Sequence, residues 1–116
     1  MITIVVGTNR RSSKSKQVAL FYQKLLSDLH AESQLLDIAD LPDDFIRSAL
    51  YENNGKNELF NTYRRMMHES DKYVFIVPEY NNSYPGALKV FIDGLSYPSE
   101  LLHKKAALVG ISDGVQ

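Results

Sequence analysis

Short apolar runs alternate with segments of helical period along the whole chain, and this alternation constrains the fold more than any other feature. The apolar runs are residues 2–6, 34–38, 73–77 and 106–111. Their continuous apolar and β-branched residues are typical of strands that are buried on both faces. Apolar residues recur at three- and four-residue steps from Ser15, across residues 57–70 and from Pro85. Strands that alternate with helices form βαβ units. The chain is therefore predicted to be an α/β domain, an open parallel sheet with helices on both faces.

The apolar pattern also predicts which face of each helix packs on the sheet and where one connection lies. On the first helix, one apolar face is predicted from Val18, Ala19, Tyr22, Leu25, Leu26 and Leu29. Residues 43–55 are expected to be a connecting segment that contains a turn at residues 53–55. The helix across residues 57–70 and the helix from Pro85 are each expected to pack an apolar face on the sheet.

The size and charge of the chain exclude several classes of protein. Its 116 residues are the length of one domain, and no linker divides them. Lys and Arg number 13 against 14 Asp and Glu, so the net charge of −1 gives no reason to expect nucleic acid or an anionic membrane as a partner. No apolar stretch has the length of a membrane span. Because there is no cysteine, disulfides and thiolate nucleophiles are excluded, and a reducing cytoplasm is the expected location. His30, His68 and His103 lie too far apart in the chain to suggest a metal site.

The loop after the first strand has the composition of an anion site. In open parallel sheets, ligands bind beyond the carboxyl ends of the strands, and backbone N–H groups at a helix N-terminus attract anions. The loop and the following helix start carry four hydroxyl groups and four cations, on Thr8, Ser12, Ser13, Ser15, Arg10, Arg11, Lys14 and Lys16. Neither G-x-G-x-x-G nor G-x-x-x-x-G-K-[ST] occurs, so a dinucleotide Rossmann site or a P-loop is not expected. These residues alone leave two interpretations open, a phosphate site or a solvated basic helix start with a serine cap.

The loop after the third strand, Pro78-Glu-Tyr-Asn-Asn-Ser-Tyr-Pro-Gly86, is rich in turn-forming residues and carries two tyrosines. Its backbone groups could meet the edge of a flat heterocycle, and its aromatic rings could flank such a ring. An ordered turn with tyrosines packed on the surface is the other interpretation of the same residues.

Taken together, the two loops resemble those of the NADPH-dependent FMN reductases. Residues 7–19 fit the pattern G-[ST]-x-R-x-x-S-x-x-x-x-x-A, and residues 78–93 fit P-E-Y-N-x-S-x-P-G-x-L-K-x-x-x-D. The resemblance runs from about Thr3 to Gly114. It implies a flavodoxin-like fold with strand order 2-1-3-4-5 that binds FMN non-covalently.

The resemblance also implies which residues hold the flavin. Those expected to hold the FMN phosphate are Thr8, Arg10, Ser13 and Ser15. Those expected to line the isoalloxazine ring, partly through main-chain atoms, are Pro78, Glu79, Tyr80, Asn81 and Ser83. Ser112, Asp113 and Gly114 occupy the position of the family's third flavin loop, where the match to its glycine-rich run is poorer.

The family normally continues with a further helix, a fifth strand and a closing helix, whereas this sequence stops at Gln116. We therefore expect a single FMN-binding domain across residues 1–116 that is C-terminally incomplete, with sheet order 2-1-3-4 and no fifth strand. The last strand would then be a bare edge, and apolar side chains of residues 73–77 and 106–111 would meet water.

The implied activity is that of an NAD(P)H-dependent FMN reductase. NAD(P)H would reduce the flavin and leave, and a quinone, azo compound, free flavin or oxidised metal ion would take its place and receive two electrons. Because the flavin would carry the chemistry, we expect no side chain to be needed as a catalytic acid, base or nucleophile. The resemblance suggests a homodimer or homotetramer, with the helix that carries Lys89 and Asp93 at the contact. An FMN-binding electron carrier or regulatory module without NAD(P)H activity is the alternative, and a remnant that binds no flavin is the third possibility.

Overall fold

Four parallel strands form one sheet with helices on both faces, as a computed structural model shows for residues 1–114. The strands are β1 (Ile2–Val6), β2 (Ser33–Asp37), β3 (Lys72–Pro78) and β4 (Lys105–Ile111). The α-helices are α1 (Lys14–Asp28), α2 (Phe45–Ser48), α3 (Glu58–Glu69) and α4 (Gly86–Asp93). Two 3₁₀ turns span Ile38–Asp40 and Tyr51–Asn53. The strand order β2-β1-β3-β4 confirms the predicted fold class and the predicted order.

The two inner strands are buried because helices cover both sides of them. On one face, α1 packs through Ala19 against Ile4 and Val6 of β1 and against Val74 and Ile76 of β3. On the other face, Val5 and Phe75 contact a core built largely from α3 and α4. Within that core, the Phe60 and Phe91 ring centroids lie 5.6 Å apart, and Tyr63 meets Phe91 edge-on at 6.4 Å. Aromatic pairs of this geometry add to the gain from burial.

Side-chain caps explain where several elements begin and end. Ser13 caps α1, because its Oγ accepts a hydrogen bond from Lys16 N at 3.0 Å, so α1 begins one residue before the predicted start at Ser15. Asn57 caps α3 in the same way, accepting from Phe60 N at 3.0 Å. Strand β2 lies one residue earlier than predicted, because Asp37 Oδ1 accepts from Ala39 N at 3.0 Å and starts a 3₁₀ turn at Ile38.

Two expectations about helices need correction. Residues 43–55 are not simply a connection: they contain the short helix α2, whose Phe45 is buried against the core, and a 3₁₀ turn. The predicted apolar face of α1 is also too wide, since Leu25 is 44% exposed and Leu29 is 76% exposed. Only a narrow stripe of α1 reaches the sheet, and Leu29 is the C-cap residue beyond the last helical turn.

The expectation that apolar side chains of both β3 and β4 would meet water is right for β4 and wrong for β3. Leu108 in β4 is 77% exposed. In β3, by contrast, Tyr73, Val74, Phe75 and Ile76 are all buried, because α1 covers one face and α3 and α4 cover the other. Among residues 1–114, β4 pairs with β3 alone, so its outer edge is unpaired. None of the helices in this part of the chain is long and apolar enough to cross a membrane.

Candidate functional site

A cleft of about 560 Å³ lies where β1, β3 and β4 end at the carboxyl edge of the sheet. Its volume falls within the range of small-molecule and cofactor sites, roughly 300–1,000 Å³. Three loops meet there, and the lining residues are Arg10, Ser12, Ser13, Lys14, Ser15, Gln17, Pro78, Glu79, Tyr80, Ile111, Ser112 and Asp113. These are the loops after the first, third and fourth strands, where the topology predicts a ligand.

The loop after β1 turns at a position that admits no side chain. Gly7 N donates to Ile76 O at 2.8 Å, and a Cβ on Gly7 would lie 2.7 Å from that same backbone oxygen. Glycine therefore lets the end of β1 lie close against β3. The chain then passes through Ser12, whose φ is +52°, and enters α1 at the Ser13 cap. The first turn of α1 lines the cleft, as expected for an anion site at a helix N-terminus.

The four cations of the first loop have different partners. Arg10 and Lys14 line the cleft, and Lys14 Nζ lies 3.3 Å from Asp113 Oδ1 in the loop after β4. The Arg11 guanidinium lies 3.9 Å from the Asp43 carboxylate. Lys16 Nζ lies 3.1 Å from the Asp37 carboxylate at the end of β2. The positive charge at the cleft therefore comes from Arg10 and from Lys14, and the Asp113 carboxylate in the same cleft partly offsets that of Lys14.

The loop after β3 contains a tight hairpin. Asn81 and Asn82 have φ of +54° and +64°, the left-handed pair that a type I′ turn requires and that asparagine tolerates. Tyr80 N donates to Ser83 O at 2.8 Å, and Ser83 N donates to Tyr80 O at 3.2 Å. Glu79 Oε2 accepts from Asn82 N at 2.7 Å. Because Glu79 N also donates to Ile111 O at 2.9 Å, the hairpin is held against the end of β4.

A side-chain hydrogen bond joins the first loop to this hairpin. Thr8 Oγ1 and Tyr80 Oη lie 2.6 Å apart, and Thr8 Oγ1 also accepts from Arg10 N at 3.1 Å. Thr8 is fully buried, whereas Tyr80 is half-buried and lines the cleft.

The structure brings most of the predicted site residues together. Those that line the cleft are Arg10, Ser13, Ser15, Pro78, Glu79, Tyr80, Ser112 and Asp113. Ser83 lines an adjoining cleft of about 420 Å³, which shares Pro78 and Ser112 with the first. Thr8, Asn81 and Gly114 are not among the residues that line either one.

Four lining residues were not singled out by sequence as site residues. Ser12 and Lys14 line the cleft, but they occupy variable positions of the first motif, so the resemblance gives them no role. Gln17 lies four residues after Ser13, so helical period could have placed it on the same side of α1. No sequence signal points to Ile111, whose place in the cleft depends on the pairing of β4 with β3. Within residues 1–114, no three His, Asp or Glu side chains converge as metal ligands.

Comparison with known proteins identifies the family. Residues 1–116 match the family described as NADPH-dependent FMN reductase. The chain belongs to this family. A quinone reductase from Pseudomonas putida is 34% identical over an alignment that covers 97% of this chain and 60% of the relative.

Solved structures of flavin reductases also have this fold. A flavoenzyme NAD(P)H:(acceptor) oxidoreductase from Paracoccus denitrificans is 33% identical with a TM-score of 0.74, over 98% of this chain and 62% of that one. An NADH:FMN oxidoreductase solved in its apo form has a TM-score of 0.82 at 20% identity, over 97% of this chain and 58% of that one. The chain thus spans about 60% of the length of these three proteins.

Membership of the FMN reductase family implies FMN and NAD(P)H as cofactors, and the cleft fits FMN. The first loop and the start of α1 offer a helix N-terminus, the hydroxyl groups of Ser12, Ser13 and Ser15, and two cations, of which Lys14 is paired with Asp113; this set suits a phosphate. Pro78, Tyr80 and Ile111 supply flat or apolar surface elsewhere in the same cleft, which suits an aromatic ring.

Proposed function

We propose that this chain forms the FMN-binding part of an NAD(P)H-dependent oxidoreductase that reduces a small acceptor, a quinone in the first instance. When bound, FMN would supply the redox chemistry, taking hydride from NAD(P)H and passing two electrons to the acceptor. The observation that carries the proposal is the convergence of both family motifs on one cleft at the carboxyl edge of the sheet. Family membership supports it.

The residues of the first loop would hold the FMN phosphate. Arg10 and Lys14 bring positive charge to the cleft. Ser15 lines the cleft and is nearly fully buried, so its hydroxyl lies in a region of low dielectric. Ser13 accepts from Lys16 N and keeps its own proton to donate.

The hairpin after β3 would meet the isoalloxazine ring. Four main-chain N–H groups of the hairpin already donate within the protein. Glu79 N donates to Ile111 O and Asn82 N to Glu79 Oε2, while Tyr80 N and Ser83 N donate to each other's carbonyl oxygens. For Asn81 N, no such acceptor occurs within residues 1–114. Asn81 lines neither cleft, so Tyr80 is the residue of this hairpin turn that would meet the ring, through its side chain.

The assembly and location of the protein belong to the same proposal. Lys89 and Asp93 form an exposed ion pair on α4, and this helix is the surface that we assign to a homodimer or homotetramer. A dimer by light scattering at tens of micromolar protein that persists in Leu108→Lys, a substitution on β4, would support that assignment, and a monomer with FMN bound would contradict it. A cytoplasmic location is proposed on the absence of cysteine from the sequence.

Two measurements on the same preparation test the function. The first is the flavin absorbance that remains with the protein after FMN is added and excess flavin is removed. The second is steady-state oxidation of NADPH and of NADH with benzoquinone, and then with an azo dye. We expect bound FMN and NAD(P)H oxidation that depends on both FMN and quinone. Bound FMN without NAD(P)H oxidation would favour the electron-carrier alternative, and failure to bind FMN would contradict both.

A further inference from the structure

We propose that Thr8 is a positioning residue, which holds the Tyr80 side chain and its hairpin against the first loop, and not a direct ligand of the phosphate. The proposal rests on the proposed FMN site. The proposal goes beyond the FMN site because it gives Thr8 a different role from that of the other hydroxyl residues in the first loop. The geometry that carries it is the 2.6 Å contact between Thr8 Oγ1 and Tyr80 Oη.

Two of the three hydrogen-bonding positions of the Thr8 hydroxyl are used within the protein. A hydroxyl group has one proton to donate and two lone pairs to accept with. One lone pair of Thr8 Oγ1 accepts from Arg10 N at 3.1 Å. The bond with Tyr80 Oη uses either the proton or the second lone pair. The first contact shapes the loop, and the second joins it to the hairpin.

Burial separates Thr8 from the residues suited to touch a phosphate. Thr8 is 0% exposed and is not among the residues that line the cleft. Ser13 and Ser15, at 6% and 2% exposed, do line it, and Arg10 lines it from an exposed position. A group to which water has no access offers no surface to a phosphate oxygen of similar size.

The Thr8–Tyr80 bond is suited to positioning because it joins residues that are 72 positions apart in the chain. On its other side, the hairpin is attached to β4 through the bond from Glu79 N to Ile111 O. β4 is the edge strand, whereas β1 is an inner strand with partners on both sides. The bond to Thr8 therefore fixes the Tyr80 ring relative to the inner part of the sheet.

A double-mutant cycle with Thr8→Val and Tyr80→Phe tests the proposal, since each substitution removes one partner of the bond and keeps the shape of the side chain. The dissociation constants of FMN and of riboflavin, which has no phosphate, are measured for the four proteins. Urea unfolding of the flavin-free proteins is measured in parallel. Thr8→Ser, which keeps the hydroxyl, should behave as the parent protein. Thr62→Val on α3 and Tyr97→Phe, at a side chain that is 99% exposed, are matched controls.

We expect Thr8→Val to weaken FMN and riboflavin by the same factor, about two- to tenfold, which corresponds to one ordinary hydrogen bond. In the Tyr80→Phe background, Thr8→Val should have little further effect. A loss confined to FMN would overturn the proposal, because it would make Thr8 a phosphate ligand. Independent, additive losses would overturn it too, as would unchanged affinities.

Failure of the proposed function has a different signature. If the parent protein binds neither FMN nor riboflavin, the FMN site itself is wrong. The unfolding measurements then decide whether Thr8 and Tyr80 are coupled, since they need no flavin. Non-additive unfolding energies would support the contact between the loops, and additive ones would refute it.

Discussion

Lys16 Nζ lies 3.1 Å from Oδ2 of Asp37, which ties the first turn of α1 to the end of β2. The Asp37 side chain is 7% exposed and also accepts from Ala39 N. Its hydrogen bond and its charge raise the pKa of Lys16 above the ordinary value for lysine. Lys16 is thereby bound to β2 and is not among the residues that line the cleft. In the proposed FMN site, attraction of the phosphate would fall to Arg10 and Lys14, which line the cleft.

Arg10→Ala should weaken FMN binding by about ten- to a hundredfold, because it removes a charge-assisted hydrogen bond worth roughly 1.5–3 kcal/mol. Riboflavin binding should be unaffected, since riboflavin has no phosphate. Flavin fluorescence titration measures both dissociation constants. Arg10 is a cleaner choice than Ser13, because Ser13→Ala would also remove the cap of α1, at about 1 kcal/mol.

Arg11→Ala is the matched control for Arg10→Ala. Its side chain is 79% exposed and lies near Asp43 rather than in the cleft. We expect its FMN affinity to match that of the parent protein. Equal losses of FMN and riboflavin affinity in Arg10→Ala, or a loss in Arg11→Ala as large as in Arg10→Ala, would show that Arg10 does not bind the phosphate.

Stability should fall in alkaline solution because of two buried tyrosines. Tyr63 Oη donates to Asp37 O at 2.9 Å, and Tyr73 Oη donates to Met67 O at 2.5 Å and lies 3.0 Å from Glu100 O. Burial raises the pKa of each to about 12, above the ordinary value of 10.0. The unfolded chain therefore loses these protons first, and the folded state binds more protons between about pH 10 and 12. The stabilisation is complete below about pH 10 and is lost as the pH rises towards 12.

Urea unfolding at a series of pH values from about 8 to 11 measures this loss. Tyr63→Phe and Tyr73→Phe should each make the free energy of unfolding less dependent on pH, although each also removes a hydrogen bond at every pH. Tyr97→Phe, at an exposed position, should leave the slope unchanged. The idea fails if all three variants keep the slope of the parent protein.

In a protein made of residues 1–116 alone, the unpaired outer edge of β4 should drive association. Leu108 is 77% exposed on a strand whose outer edge is unpaired within residues 1–114, and such an edge can pair with another chain. Leu108→Lys should lower the light scattering of the protein at tens of micromolar, because a charge on an edge strand opposes pairing. Leu29→Lys is the control, since Leu29 is 76% exposed but lies at the end of α1. An equal effect of both substitutions would point to general hydrophobicity rather than to the edge.

The two motifs lie where the sequence predicts them because both are local. Gly7 and Pro85 mark the end of a strand and the start of a helix through their own backbone properties, and apolar period separates strands from helices over a few residues. Errors of one residue at α1 and β2 come from the caps at Ser13 and Asp37, whose hydrogen bonds compete with regular backbone pairing.

By itself, the sequence determined the alternation of strands and helices, the parallel sheet and the two loops that carry the family motifs. Only the tertiary structure decided that Thr8 meets Tyr80, that Lys16 pairs with Asp37 and not with the cleft, and that β3 is buried while β4 is exposed. Each of these features depends on residues that are distant along the chain but close in space. Local propensity carries no information about which distant residues meet, because that depends on strand register and on how the helices pack across the sheet.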